Sequence, residues 1–164
     1  MHSIFFDSPV GQLTLVASDA GLRAILWPTE KPGRVKLPDV IRGDHRMLQE
    51  ATRQLTEYFN GMRQTFDIPL DLRGTPFQVK AWRSLTDIPY GTTASYAEQA
   101  GRLGAPRAVR AVGSANGRNP ISIVLPCHRV VASNGSLAGF AGGLDAKRWL
   151  LDFETTSQIA NRAM

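Results

Sequence analysis

The sequence is poor in groups that bind metals or form cross-links. It has one cysteine, Cys127, and three scattered histidines, His2, His45 and His128. A single thiol excludes an internal disulfide, and one Cys with these His residues gives no zinc-ligand spacing, so no metal is expected. Long apolar runs are missing too. Nothing approaches the roughly 20 residues that span a bilayer, which excludes a membrane protein of the helical kind. The opening MHSIFFDSPVGQLTLVAS lacks the basic start, continuous apolar middle and small-residue cleavage site of a secretory signal, so a cytoplasmic protein is expected. Acidic residues are the scarcer sign of charge: 14 Asp and Glu face 19 Lys and Arg, a net charge of +5 with a pI near 9.9. That balance favours polyanionic partners, although many basic proteins bind nothing acidic.

What is present is the composition of a globular domain or two, 43% hydrophobic and 20% charged over 164 residues. Residues 3–27 alternate, and turn signals at SPVG (8–11) and DAG (19–21) divide them into an antiparallel meander. WPTEKPGRVKLPDVIRGD then reads as a loop. HRMLQEATRQLTEYFNG places Met47, Leu48, Ala51, Leu55, Tyr58 and Phe59 on one helical face and stops at Gly61. The first unit, 1–72, is therefore a sheet with one helix.

The second unit, 73–164, opens with a helix. Thr75 caps it, Pro76 takes the first position and Gln78 completes a capping box; Phe77, Ala81, Trp82 and Leu85 share a face. Ser95-Tyr96-Ala97-Glu98 is another capping box, opening a helix to about Leu103 that Gly104 ends. Pro106 sits at a first-turn position of the next helix, which runs through RAVRAVGSAN to about Asn116 and stops at Gly117. Two short helices joined by a tight turn make a helix-turn-helix candidate at about 95–117. ISIVL follows as a buried strand, SNG at 133–135 as a turn, and LDAKRWLLDFE as a last helix with Leu144, Leu150, Leu151 and Phe153 as apolar positions. The tail TTSQIANRAM is expected to fray. The class is mixed α and β.

Two features carry chemistry. Between residues 95 and 120 four arginines (Arg102, Arg107, Arg110, Arg118) accompany one acid, Glu98, which is the most basic face for DNA or, more plainly, a solvated helix surface. The second feature is NPISIVLPCHRVV, residues 119–131. A lone cysteine is usually a small buried hydrophobe. Cys127, however, follows Pro126, neighbours His128 and lies in basic surroundings, a setting that favours the nucleophilic thiolate. Neighbours on a strand point to opposite faces, so a direct Cys–His pair requires a turn or a bridging water. A third group must orient the imidazole, and Glu154, Asp145 and Asp152 are all available.

The pieces TPFQVKAWRSLTDIPYG, SYAEQAG, RAVRAVGSANGRNP, IVLPCHRVV and GFAGGLDAKRWLLDFE, in this order and spacing, make Gly74 to Glu154 resemble the catalytic domain of the O6-alkylguanine-DNA alkyltransferases, the methylated-DNA–protein-cysteine methyltransferases. The amino-terminal half resembles that family's ribonuclease-H-like domain less distinctively. The resemblance implies Cys127 as acceptor, held as thiolate by His128 and Glu154 through a bridging water. It implies Asn119 as a buried hinge between the strand and the helix-turn-helix, and Tyr96 as donor to N3 of a flipped guanine. Arg110 would fill the gap in the base stack, with Ala108, Ser95, Tyr96 and Arg118 as the other DNA-binding positions. The pocket would be formed by Ser122, Val130, Phe140 and Ala141, with the carbonyls of Cys127 and Val130 taking the guanine amino group and the Ala141 N–H reaching O6. Met1 is excluded from it.

Two positions depart from the family's usual pattern. Phe140 stands where Tyr is common, keeping a stacking wall without the hydroxyl, and Ser122 stands where Pro is common. The ligands of the zinc site found in some members are missing. The implied activity is a single irreversible transfer of the alkyl group from O6-alkylguanine, and from O4-alkylthymine, in duplex DNA to Cys127, through minor-groove binding and base flipping. It implies no cofactor and no obligate protein partner, the protein acting as a monomer. A DNA-binding regulator would leave Cys127 unmodified, and a Cys–His hydrolase would turn over repeatedly.

Overall fold

The computed structural model describes residues 1–163, with side chains through Ser157. The chain divides into two compact units, residues 1–72 and residues from 73 onward.

The first unit is built on the expected meander. Strands β1 (His2–Ser8), β2 (Gly11–Ser18) and β3 (Gly21–Leu26) pair antiparallel, Ile4 opposite Leu15 and Leu15 opposite Ile25. Alternation along β2 turns Leu13, Leu15 and Ala17 inward, all fully buried. Helix α1 (Arg46–Phe59) covers this face with Leu48, Ala51, Leu55 and Tyr58. Each such Leu contributes about 1.5–3 kcal/mol by leaving water. The stretch expected to be only loop contains a two-residue strand, β4 (Ile41–Arg42), parallel to β1, so the sheet order is β3-β2-β1-β4. At the opposite edge the chain returns alongside β3, where Leu22 N–H donates to Pro69 O and Asp71 N–H to Leu22 O, both at 2.8 Å. Gly21 permits this approach. Its φ is +155°, and a Cβ there would lie 2.4 Å from Pro69 O.

In the second unit both capping boxes form as the sequence predicts. Thr75 and Gln78 close the start of α2 (Pro76–Ser84), and Ser95 and Glu98 close that of α3 (Tyr96–Arg102). A turn then leads to α4 (Val109–Gly117). Ala81, Ala100, Leu103, Val112 and Ala115 form the core among these helices, with Phe77 and Tyr96 packed against it. The Trp82 indole N–H donates to Ala115 O at 2.7 Å. Helix α4 starts later than expected, since Pro106 and Arg107 lie in the turn before it and Ala108 is its N-cap.

Residues 121–125 are not a strand. Leu125 N–H reaches back to Ile121 O at 2.9 Å, closing a turn, and Ile123 at its centre has φ +76°. Cys127–Arg129 is one turn of 3-10 helix. The only sheet described in this unit is two strands, β5 (Ala94–Ser95) and β6 (Val130–Val131), paired parallel. The last helix, α5 (Leu144–Ala163), buries Leu150, but Leu144, expected to be an apolar contact, is half exposed. The helix also continues through Ala163 into the segment expected to fray; Met164 lies outside the described residues.

Candidate active site

The site lies where the 3-10 turn meets α5. Residues 121–130 are all buried, Cys127 at 6% exposure and His128 at 0%. A single helical turn, rather than a strand end, brings Cys127 and His128 into this buried segment. Of the three candidate carboxylates, Asp145 and Asp152 are exposed and only Glu154 is buried. His128 Nε2 lies 2.8 Å from Glu154 Oε2. A carboxylate can only accept, so Nε2 carries the proton and the neutral ring presents Nδ1 as its acceptor. Nδ1 is buried without a hydrogen-bond partner among the described residues.

Arg129 completes this arrangement. Its Nε donates to Glu154 Oε1 at 2.8 Å and Nη2 to Oε2 at 3.0 Å, a two-pronged contact, while Nη1 donates to Ile88 O at 2.9 Å. The guanidinium also lies 5.5 Å from the centre of the Tyr90 ring. Burial would raise the Glu154 pKa, but the charges and hydrogen bonds of His128 and Arg129 hold it well below the carboxylate range. Burial lowers the His128 pKa, opposed by Glu154 and reinforced by the positive charges of Arg129 and Lys147. The imidazole is therefore neutral near pH 7.

Asn119, fully buried, joins the end of α4 to the cysteine turn. Its Nδ2 donates to Leu125 O at 2.7 Å, its Oδ1 accepts from Ile121 N–H at 3.0 Å, and its own N–H donates to Asn116 O at 3.2 Å. Tyr96 opens α3; burial, then the nearby Cys127, raises its pKa and keeps the hydroxyl protonated as a donor. Val130 O accepts from Lys147 Nζ at 2.7 Å, and Cys127 O from Val130 N–H. Both carbonyls expected to face the guanine amino group thus already have one donor.

The remaining predicted residues are dispersed. Ser122 is fully buried within the 121–125 turn, its side chain turned into the protein. Phe140 and Ala141 are half-buried in the segment before α5. Ser95 spends its hydroxyl on Glu98 N–H as a cap. Arg110 is the second residue of α4, exposed, and not in mid-helix. Arg118 is exposed at the far end of that helix, and Ala108 caps its start. Met1 lies in the first unit, where its carbonyl accepts from Ile41 N–H.

Sequence reasoning missed three buried polar residues. Lys147 donates to Val130 O and, at 3.2 Å, to Ala138 O, pinning the loop before α5; burial lowers its pKa, opposed by Cys127. Its signal was available, since Lys147, Leu150, Leu151 and Glu154 fall on one helical face. Gln99 and Asn116 pair their side-chain amides reciprocally, at 3.2 and 2.7 Å, between α3 and α4. No group of three His, Cys, Asp or Glu suited to a metal occurs among the described residues.

Charge divides unevenly along the chain. Residues 1–72 hold 8 basic and 9 acidic side chains, residues 73–164 hold 11 and 5, so the second unit is at +6 and the first at −1. The fold and site together define a basic unit of short helices in which a buried cysteine adjoins a buried histidine–carboxylate pair. The chain belongs to the 6-O-methylguanine DNA methyltransferase family: the model of its ribonuclease-like domain matches residues 1–72 and that of its DNA binding domain residues 76–156. It is 44% identical over 154 residues to the methylated-DNA–protein-cysteine methyltransferase of Methanosarcina acetivorans, covering 94% of this chain and 98% of that one. The Mycobacterium tuberculosis methyltransferase of the same name is 46% identical over 163 residues, covering 98% and 96%. The crystal structure of Mycobacterium tuberculosis OGT in complex with DNA superposes with a TM-score of 0.88 at 43% identity, covering 96% of this chain and 94% of that one.

Proposed function

We infer that this protein repairs O6-alkylguanine in DNA by moving the alkyl group onto Cys127. The observation that carries the reading is the buried His128, next to Cys127 in the chain, its Nε2–H fixed on Glu154 and its Nδ1 left as an acceptor. The thiol proton passes to Nδ1 through one water. The Sγ–C bond then forms as the C–O6 bond breaks, and its electron pair goes to O6. The Tyr96 hydroxyl donates to N3 and spreads the developing charge, and guanine recovers a proton from solvent. The product thioether has no group here to hydrolyse it, so one protein repairs one lesion.

The target atom is locked in the stack, so the base must leave the duplex. In this reading the helix-turn-helix enters the minor groove and Arg110, at the start of α4, occupies the vacancy. Asn119 couples α4 to the cysteine turn, and Phe140, Ala141, Val130 and the Cys127 carbonyl surround the base, with Ser122 behind the wall. The protein acts as a monomer.

The test is a mass spectrum after mixing with a duplex containing one O6-methylguanine. The Cys127 peptide should gain one methylene unit, stoichiometrically and once, and Cys127→Ser should abolish transfer while retaining lesion binding. An unmodified Cys127 would favour a binding protein, and repeated turnover without added thiol a hydrolase.

A further inference from the structure

Arg129 is 5% exposed, and every nitrogen of its guanidinium is used internally. Two residues share one carboxylate: His128 through Oε2, and Arg129 through both oxygens. We propose that Arg129 is a positioning residue that locks Glu154 against His128 and, by cancelling that carboxylate's charge, keeps the imidazole uncharged and able to accept the Cys127 proton. The proposal rests on the repair reading for its consequence, but its physical core concerns the resting protein.

The argument is one of charge in a dry site. With Arg129 present, Glu154 and Arg129 sum to zero, so protonating His128 creates a net buried cation, which burial opposes. Without the guanidinium, the Glu154 charge loses its paired cation, and a protonated His128 offsets it. The same imidazole would then hold its proton and have nothing to accept with. The groups facing His128 are Glu154 and Lys147 from α5 and Arg129 from its own turn; Tyr90, from the segment before β5, lies over Arg129. Lys147 is held by Val130 O and Ala138 O and acts in the same direction as Arg129. Arg129 is bonded to Glu154 itself. The fork also does what a point charge cannot: two parallel hydrogen bonds fix the plane of the carboxylate, so that Oε2 stays in line with Nε2.

The chain's single cysteine makes the test direct and independent of DNA. Alkylation of Cys127 by iodoacetamide is followed against pH, alongside the His128 ring signals in 15N NMR, assigned by their loss in His128→Gln. In the native protein His128 should be neutral at pH 7. Arg129→Met should raise the His128 midpoint by about 1–3 pH units, the shift a close charge produces, and move the acid limb of Cys127 alkylation with it. Arg129→Lys, keeping charge without the fork, should leave the midpoint within about half a unit of native and lower the alkylation plateau at every pH. The double variant Arg129→Met/Glu154→Gln should return His128 to neutral. Should Arg129→Met not fold, Glu154→Gln alone, with Arg129 uncompensated, should push the midpoint below native. A folded Arg129→Met or Glu154→Gln protein with an unmoved midpoint overturns the proposal and leaves Arg129 a purely structural contact. Failure of native Cys127 to accept a methyl group from lesion DNA would instead overturn the repair reading while leaving these midpoints meaningful.

Discussion

Asn119 shows how one side chain can set a site without touching substrate. It satisfies a donor and an acceptor within the 121–125 turn, Ile121 N–H and Leu125 O, and so holds Ile123 at φ +76°, a conformation that costs a β-branched residue about 1–3 kcal/mol. His128 and Glu154 exert a different control, through protons. Both have pKa values lowered by folding from ordinary values of 6.5 and 4.5. The unfolded chain therefore binds more protons than the folded one as pH falls, first at His128 below about 6.5 and then at Glu154 below about 4.5. Their stabilisation is complete above those values and is lost on acidification. The thermal midpoint should fall between pH 7 and 5.5 in the native protein. In His128→Gln, whose amide can still donate to Glu154 but does not titrate, the fall over this interval should be shallower; an identical slope would show that His128 does not set it. Of these residues, Cys127 and His128 were legible in the sequence because Pro-Cys-His-Arg is a local signal. Composition and spacing left Glu154, Asp145 and Asp152 open and only the family resemblance pointed to Glu154; the burial that sets it apart is a property of the fold.

Elements whose ends are written in local chemistry were the legible ones: the two capping boxes, the meander turns and the apolar stripe of α1 all appear at their expected places. Those decided by tertiary contact were not. A five-residue apolar run such as ISIVL fits a strand or a buried turn equally well, and Asn119 decides for the turn. Pro106 fits a helix start, yet the helix begins at Val109. Helices α3 and α4 are locked by a feature no local pattern announces, the Gln99–Asn116 amide pair, with Gln99 Nε2 also near Ala81 O at 3.2 Å. Gln99→Leu alone strands the Asn116 amide in the core and should cost about 1–3 kcal/mol, as should Asn116→Leu alone. The double variant Gln99→Leu/Asn116→Leu should recover most of one loss, giving a favourable coupling of about 1–3 kcal/mol in a double-mutant cycle by urea denaturation. Additive losses would mean that the two amides are stabilised by separate partners.

At the scale of the whole molecule the two units differ in charge. The basic excess resides in residues 73–164, and within it Arg129 and Lys147 are buried and committed to Glu154 and to backbone carbonyls. Arg102, Arg107, Arg110 and Arg118 remain on the surface around α3 and α4. In the first unit the exposed cations are balanced, as where Arg53 faces both Glu50 and Glu57 on α1. Binding to undamaged duplex should therefore be driven by counterion release from the second unit, with log K falling linearly in log salt by about 0.9 for each phosphate neutralised. Arg107→Ala and Arg118→Ala should each make that slope shallower by about 1 and weaken binding to all sequences alike. Arg53→Ala should leave it unchanged, because its charge is already spent on carboxylates and lies outside the helix-turn-helix. Fluorescence anisotropy of a labelled lesion-free duplex across a salt series measures all four proteins. If Arg53→Ala flattens the slope as much as the Arg107 and Arg118 variants, DNA contacts both units and the charge division does not mark the interface.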